Sequence, residues 1–245
     1  MRDEQFQEME MVEETHFWHK ARREIIDAVL KKNALLNQNA SVLEIGAATG
    51  ANIRYFKHNF KVIKGVELNS EAIDIAKVKS PEIEIITGFL PDNIGYGDEK
   101  FDLIFLFDVL EHVENDHAAL VQIKKRLTKG GHLVLTVPAY QFLFGVHDEQ
   151  LYHFRRYNIY NLAKALKNSG FEIKFKSYFN FWLFPLVLVS RLLEKISKKS
   201  SGYVARDDSS PFASKILYGI MRSEKYLLSL GIKLPFGSSV IMVAK

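Results

Sequence analysis

Val42-Leu-Glu-Ile-Gly-Ala-Ala-Thr-Gly50 is an apolar run ending in glycines at 46 and 50, and a helix-compatible segment, Asn52 to Lys57, follows it. This is the pattern of a strand entering a ligand-binding turn. Glycine at 46 and 50 lets the backbone bend tightly and approach a ligand closely, because it carries no Cβ. Glu44 stands two residues before the first glycine, near the carboxyl edge at which open α/β sheets bind ligands. A dinucleotide fingerprint would need glycine at 46, 48 and 51, but 48 and 51 are alanine. Alanine is allowed at the third position, whereas at the second it crowds a pyrophosphate.

Further strands follow in order. Lys61–Leu68 predicts a second strand ending in Glu67, with Asn69-Ser70 capping a helix from Glu71. Glu67 lies 17 residues past Gly50, where a carboxylate can accept both hydroxyls of a ribose. Glu82–Gly88 reads as strand three. Phe101–Phe107 reads as a nearly all-apolar strand four of the buried parallel kind, leading into Asp108-Val-Leu-Glu-His-Val113. Asn115-Asp116 precede a helix through Arg126, which Lys129-Gly-Gly131 is expected to close as a glycine C-cap. His132–Val137 is strand five, stopped by Pro138. Four βα units in about 100 residues imply a doubly wound, mostly parallel sheet.

The glycine stretch resembles motif I of the class I S-adenosylmethionine methyltransferases, Glu/Asp-x-Gly-x-Gly-x-Gly: Glu44, Gly46 and Gly50 match, and Ala48 replaces the middle glycine. In that family the turn faces the methionine part of the cofactor, which has no pyrophosphate, so one extra methyl is tolerable. Asp-Val-Leu-Glu-His-Val and Leu-x-x-Gly-Gly-x-Leu are similar to the small-molecule methyltransferases of ubiquinone-biosynthesis type, and the likeness covers roughly residues 40–180. It implies a seven-stranded Rossmann-like sheet and S-adenosylmethionine as cofactor, with S-adenosylhomocysteine as product. The cofactor site would then comprise Glu44, Gly46, Ala47, Gly50, Glu67, Leu68, Gly88, Phe89, Phe107 and Asp108. The family often has an acidic residue after strand three to hold the adenine amine. Phe89 occupies that place and could stack on the adenine instead.

The flanking segments extend the resemblance. Thr15-His-Phe-Trp-His19 precedes an amphipathic helix over Lys20–Lys31 with Ile25, Ile26, Val29 and Leu30 as its stripe. In related methyltransferases a similar His-Phe-Trp helix covers the cofactor, which implies that Arg22 or Arg23 meets the cofactor carboxylate and that Phe17 or Trp18 shields the sulfonium. After strand five, Tyr140–Asp148 and Tyr152–Tyr157 crowd His, Arg, Asp and aromatics into one connection, where function concentrates in this fold. His147 or His153 could take a proton from an acceptor hydroxyl, with His112 as a third catalytic candidate. Arg155 and Arg156, with Tyr157, could bind an acceptor carboxylate or phosphate. No metal ligand set is read.

Composition agrees with one globular domain: 245 residues, 47% apolar and 25% charged. The net charge of +4 implies no nucleic-acid partner. Zero cysteines exclude disulfides, thiolate metal sites and a cysteine nucleophile. The first 14 residues hold six acids and one Arg, so no signal peptide is expected and the expected location is cytoplasmic.

Strand six is expected at Phe171–Ser177 and strand seven at Ser238–Ala244, with about 60 residues intervening, and the resemblance implies that strand seven is antiparallel and lies between strands five and six. The expected division is an N-terminal cover helix in 1–37, a cofactor-binding core in 38–180, a helical insertion in 181–236 and the last strand in 237–245. Ser177–Ser190 is uncharged and largely apolar, too short at 14 residues for the roughly 20 a bilayer span needs, and interrupted by Pro185. Arg191, Lys195, Lys198, Lys199 and Arg206 follow against Glu194, before Asp207 and Asp208. An apolar face beside a basic patch suits peripheral contact with anionic lipid. The other expectation is that Phe181, Trp182, Phe184 and Leu188 pack on the sheet or form a homodimer contact. A second insertion helix is expected over Ala213–Leu230, after a polar linker at Ser197–Pro211.

The favoured activity is methyl transfer to a small-molecule or lipid-linked acceptor, at oxygen, because Asp-Val-Leu-Glu stands where amine methyltransferases of nucleic acids often carry Asp/Asn-Pro-Pro-Tyr/Phe. An NAD-dependent Rossmann enzyme and a non-catalytic S-adenosylmethionine-binding module are the alternatives.

Overall fold

A computed structural model of the chain describes residues 10–197 and 210–245. Seven strands form one sheet: β1 Ser41–Ile45, β2 Val62–Glu67, β3 Ile85–Thr87, β4 Phe101–Phe107, β5 Leu127–Pro138, β6 Ile173–Phe179 and β7 Ser239–Ala244. Their order is β3-β2-β1-β4-β5-β7-β6, parallel except for β7, which runs antiparallel between β5 and β6 as expected. All six residues of β7 are buried, which is why its sequence is almost purely apolar. Because β1 lies between β2 and β4, the strand order reverses there, and the crevice outside the carboxyl ends of β1 and β4 is the ligand position this topology favours.

Helices cover the sheet: α1 Phe17–Lys32, α2 Ala51–Phe56, α3 Ser70–Lys79, α4 Asp116–Lys125, α5 Val146–Gln150, α6 Ile159–Asn168, α7 Phe184–Ser197 and α8 Pro211–Ser229. Asn69 and Asn115 cap α3 and α4 through side-chain oxygens that accept from Ala72 N at 2.9 Å and Ala118 N at 3.0 Å. The apolar stripe of α1, including Ile25, Ile26, Val29 and Leu30, is fully buried. On its other side α1 meets α8, where Glu24 accepts from Tyr218 and Lys225 and, at 2.8 Å, from Arg222. Burial alone would raise the Glu24 carboxyl, but these bonds outweigh it and hold its pKa down at about 2.

Three expectations need correction. Lys129-Gly-Gly131 does not close α4, which already ends at Lys125. Register passes from Phe101↔Leu127 to Leu103↔His132, so Thr128–Gly131 bulge out of β5, with Gly130 at φ +93°. A bulge and a helix cap both recruit glycine for positive φ, and sequence alone does not separate them. Strand three is only three residues long, and strand six begins two residues later than expected. Finally, Ser177–Ser190 is not one segment. Ser177, Tyr178 and Phe179 finish β6, Asn180 turns the chain at φ +56°, and α7 starts at Phe184. Glu224 of α8, fully buried, fixes that turn by accepting from Phe181 N at 2.8 Å and Trp182 N at 3.2 Å. Lys198, Lys199, Arg206, Asp207 and Asp208 lie outside the described residues, as does most of the expected linker.

Candidate active site

The glycine turn sits at the crevice. Gly46, Ala48 and Gly50 adopt φ of +77°, +46° and +81°. A Cβ on Gly46 would collide with Val109 Cγ2, so that glycine is required by close approach as well as by dihedral angle. Ala48 occupies the left-handed region in which the middle glycine of the resembled motif would be unstrained. Three further non-glycine residues just past sheet strands, Asp108, Tyr140 and Asn180, also have positive φ, at +55°, +61° and +56°. Backbone strain of this kind concentrates at functional sites.

Glu67 closes the turn from β2. Its Oε2 accepts from Ala48 N at 2.9 Å, and Oε1 accepts from Leu68 N at 2.9 Å and Asn69 N at 3.0 Å. The carboxylate is thus fixed at the carboxyl edge by three backbone donors. Opposite it, Glu44 is fully buried in β1, its Oε1 accepting from Asn52 at 2.7 Å while Oε2 has no partner. Burial raises the Glu44 carboxyl to about 8.

Arg22 reaches the same edge from α1. It pairs with Asp108 and donates to Thr136 Oγ1 at 3.1 Å, beneath the ring of Trp18 (5.2 Å) and beside that of Phe107 (5.5 Å). Its Nε is buried without a partner. Arg23 instead lies over the Tyr55 ring. Phe17 is half-buried and stacks on His16 at 4.7 Å. Ala47 is buried in the turn, and Gly88 packs so tightly that a Cβ would fall 2.7 Å from Asn93 O and from Val66 Cγ1. Leu68 and Phe89 are exposed on the rim.

Two site residues carry no signal in the sequence. Glu13 is buried and accepts from Thr49, from Arg54 at 2.8 Å and from Lys79 at 3.1 Å, tying the N-terminal segment over the turn. Thr136, in β5, presents its hydroxyl to Arg22. An acidic N-terminal run reads as solvated, and one threonine in an apolar strand reads as a tolerated core residue.

The connection after β5 is organised by Asp148, a fully buried residue of α5. Its Oδ1 accepts from His153 Nδ1 at 2.8 Å and Arg156 Nε at 2.7 Å, and its Oδ2 from Gly145 N at 3.0 Å. Burial would raise this carboxyl, but the His153 and Arg156 bonds hold it far below the usual range. His153 lies edge-on to His112, ring centroids 4.5 Å apart. Burial lowers His112 to about 4, and His147 also to about 4, so both are neutral near pH 7. Glu111 is buried with Oε2 unpartnered, and burial and the charge of Asp108 push it well above the carboxylate range. Glu111, His112 and His153 each bring one ligand atom within 4.8 Å of the others, so they could hold a metal ion, a grouping that spacing along the chain does not reveal.

The three substrate-binding candidates divide. Arg155 is partly exposed, donating to Glu114 O at 2.6 Å and pairing with Asp116 at 3.2 Å. Arg156 is buried, and besides Asp148 it donates to Ala139 O at 3.3 Å. Tyr157 is buried and donates its hydroxyl to Asp116 at 2.8 Å. The last two hold the loop's shape with their own polar groups, which leaves Arg155 as the one of the three oriented toward solvent.

The raised pKa of Glu44 has a pH consequence. A carboxyl ordinarily near 4.3 that rises to about 8 on folding contributes stability that is full below about pH 4 and is lost progressively as pH climbs from there to 8. Glu44→Gln removes the ionisation, so its stability relative to wild type should rise steadily between about pH 5 and pH 8, by roughly 1–4 kcal/mol in all. Parallel denaturation curves for the two proteins from pH 5 to 9 would refute this.

Residues 17–174 match a family of known proteins described as a methyltransferase domain. The chain is 27% identical over 128 residues to a demethylmenaquinone methyltransferase of Tropheryma whipplei, covering 52% of this chain and 53% of that protein. It is 26% identical over 126 residues to the mitochondrial ubiquinone biosynthesis O-methyltransferase of Candida albicans, covering 45% and 36%. The match thus spans about half or less of the length of these relatives. Among solved structures, phosphoethanolamine N-methyltransferase 2 of Haemonchus contortus in complex with S-adenosylmethionine shares the fold at a TM-score of 0.64 and 17% identity, covering 99% of this chain and 57% of that one.

Proposed function

The chain belongs to the methyltransferase-domain family, and from that premise we propose that it transfers the methyl group of S-adenosylmethionine to an oxygen of a small-molecule or lipid-linked acceptor. One observation carries the cofactor reading. The crevice holds a buried carboxylate oxygen and a buried guanidinium nitrogen without partners, Glu44 Oε2 and Arg22 Nε. The methionine end of the cofactor offers a carboxylate that would meet Arg22 and an ammonium that would meet Glu44 and, by its charge, favour the ionised form that burial disfavours. Glu67, fixed beside the turn, would accept the ribose hydroxyls, and Phe89 on the rim would stack on the adenine.

S-adenosylmethionine bound there supplies a methyl group already activated on a sulfonium, so the remaining tasks are positioning and proton removal. Asp148 holds His153 by Nδ1, which assigns the proton to that nitrogen and leaves Nε2 as an acceptor. His153 would take the acceptor hydroxyl proton there, with His112 packed against it, and Arg155 would bind an anionic group of the acceptor. The relatives named for quinone biosynthesis support a small aromatic acceptor with a hydrocarbon tail.

Calorimetric titration with S-adenosylmethionine and with NAD separates the main reading from a dinucleotide enzyme. Turnover of labelled methyl separates it from a binding module. His153→Ala should lower turnover by about 10²–10⁴-fold with cofactor affinity unchanged within about twofold. Equal loss of both would place His153 in the cofactor site. Arg156→Ala should behave differently, lowering stability because it leaves Asp148 buried without its guanidinium partner.

A further inference from the structure

The helices of the insertion are amphipathic the wrong way round for a water-exposed surface. In α7 the charged pair Arg191–Glu194, 2.7 Å apart, faces inward with only 15% and 4% of the side chains exposed. Leu186, Val189 and Leu193, spaced by three and four, face outward at 63%, 54% and 59% exposure. In α8, Phe212, Ile216 and Ile220 form a second outward stripe at i, i+4 spacing, while Glu224 is buried. Among the described residues, 12 of the 21 exposed large apolar side chains fall between 182 and 236. Single exposed leucines are ordinary, whereas such a concentration marks an interaction surface.

Charge selects the occupant. Glu194 and Glu224 are the carboxylates described within 180–236, and both are buried. The exposed charges of the insertion among the described residues, Lys215 and Lys233, are cationic. Trp182, half exposed at the start of the insertion, is a residue type that favours the boundary between lipid and water. No helix among the described residues is long and apolar enough to cross a membrane, so contact would be from one side.

The surface also adjoins the site. Phe184 of α7 packs on Tyr140, which follows β5, at 5.7 Å, and a Cβ on Gly145 would lie 3.6 Å from Glu194 Oε2. The exposed rings of Phe142 and Phe154 belong to the same acceptor-side connection. We propose that the outward face of α7 and α8 docks on an anionic lipid bilayer and brings the His153 side of the site to the interface, so that an acceptor's hydrocarbon tail stays in lipid. The docking stands on the surface alone, and only the route of the acceptor rests on the proposed function.

Flotation of the full chain with vesicles of phosphatidylcholine, with and without phosphatidylglycerol, tests the docking. The expected result is at least tenfold more protein on anionic vesicles at low salt, with most of it released at high salt. Leu186→Asp with Leu193→Asp should abolish binding, and Lys215→Glu with Lys233→Glu should weaken it severalfold. Thermal melts and cofactor calorimetry on the same variants should match wild type, because none of these residues touches the cofactor crevice. No binding to anionic vesicles at low salt overturns the proposal. So does binding that neither pair of substitutions changes, or a dimer in sedimentation that Leu193→Asp dissolves while vesicle binding is absent. Loss of cofactor affinity in wild type would sink the proposed function and leave the docking result standing.

Discussion

Glu67→Ala should weaken S-adenosylmethionine binding more than tenfold and also destabilise the protein by about 2–4 kcal/mol. Two separate roles of one carboxylate produce the two effects. Toward the ligand it would be a bidentate acceptor for the ribose, each charge-assisted bond contributing about 1.5–3 kcal/mol. Toward the chain it already accepts from Ala48, Leu68 and Asn69, clamping the glycine turn to the end of β2. The alanine variant therefore confounds binding with folding, and Glu67→Gln is the decisive comparison. It keeps one acceptor oxygen for the backbone and loses the charge and the second acceptor. Its amide NH2 would face a backbone N–H that the carboxylate oxygen accepted, so it should destabilise the protein by less than the alanine variant does while the cofactor Kd rises about tenfold. An unchanged Kd in calorimetry would remove Glu67 from the cofactor site.

Gly46→Ala should cost about 2–5 kcal/mol and eliminate cofactor binding. A side chain at φ +77° carries about 1–2 kcal/mol of backbone strain. The new methyl would also enter the space of Val109 Cγ2, an overpacking that typically costs about 1–3 kcal/mol. The two parts are separable. Val109→Ala added to Gly46→Ala should recover the steric share and leave the dihedral share, which appears as a coupling energy in a double-mutant cycle. Strictly additive denaturation energies would show that Val109 is not the obstacle.

The sheet was legible because its signals are local. Strands β1, β2, β4 and β5 are apolar runs of the right length, each ending at a glycine, an acid or a proline. Asn69 and Asn115 announce their helices by capping chemistry. Even the antiparallel position of β7 was inferable, though through family resemblance rather than through periodicity. What escaped depends on residues distant in sequence. Glu13 meets Thr49, Arg54 and Lys79 only after the chain folds. Arg156 and Tyr157 have the chemistry of ligand binders, but Asp148 and Asp116 occupy them, and residue type alone does not reveal which acid arrives first. Ser177–Ser190 reads as one apolar unit because a buried strand and a lipid-facing or packed helix use the same residues, and Asn180, a single polar residue among aromatics, does not announce the turn it makes.

The place of β7 has a kinetic consequence. Among the described residues it is the strand that links β5 to β6 in the sheet, yet it lies about 60 residues beyond β6 and about 100 beyond β5. Before it inserts, β5 ends in an open edge and β6 has no strand to pair with, although Phe175, Tyr178 and Phe179 are already committed to being buried. Contacts so remote in sequence form late, since the closure entropy of the intervening chain must be met first. The half-built sheet therefore exposes two apolar edges to other chains at the same stage. Insertion of 239–244 is therefore expected to compete with edge-to-edge aggregation during refolding, and the refolded yield should rise as protein concentration falls.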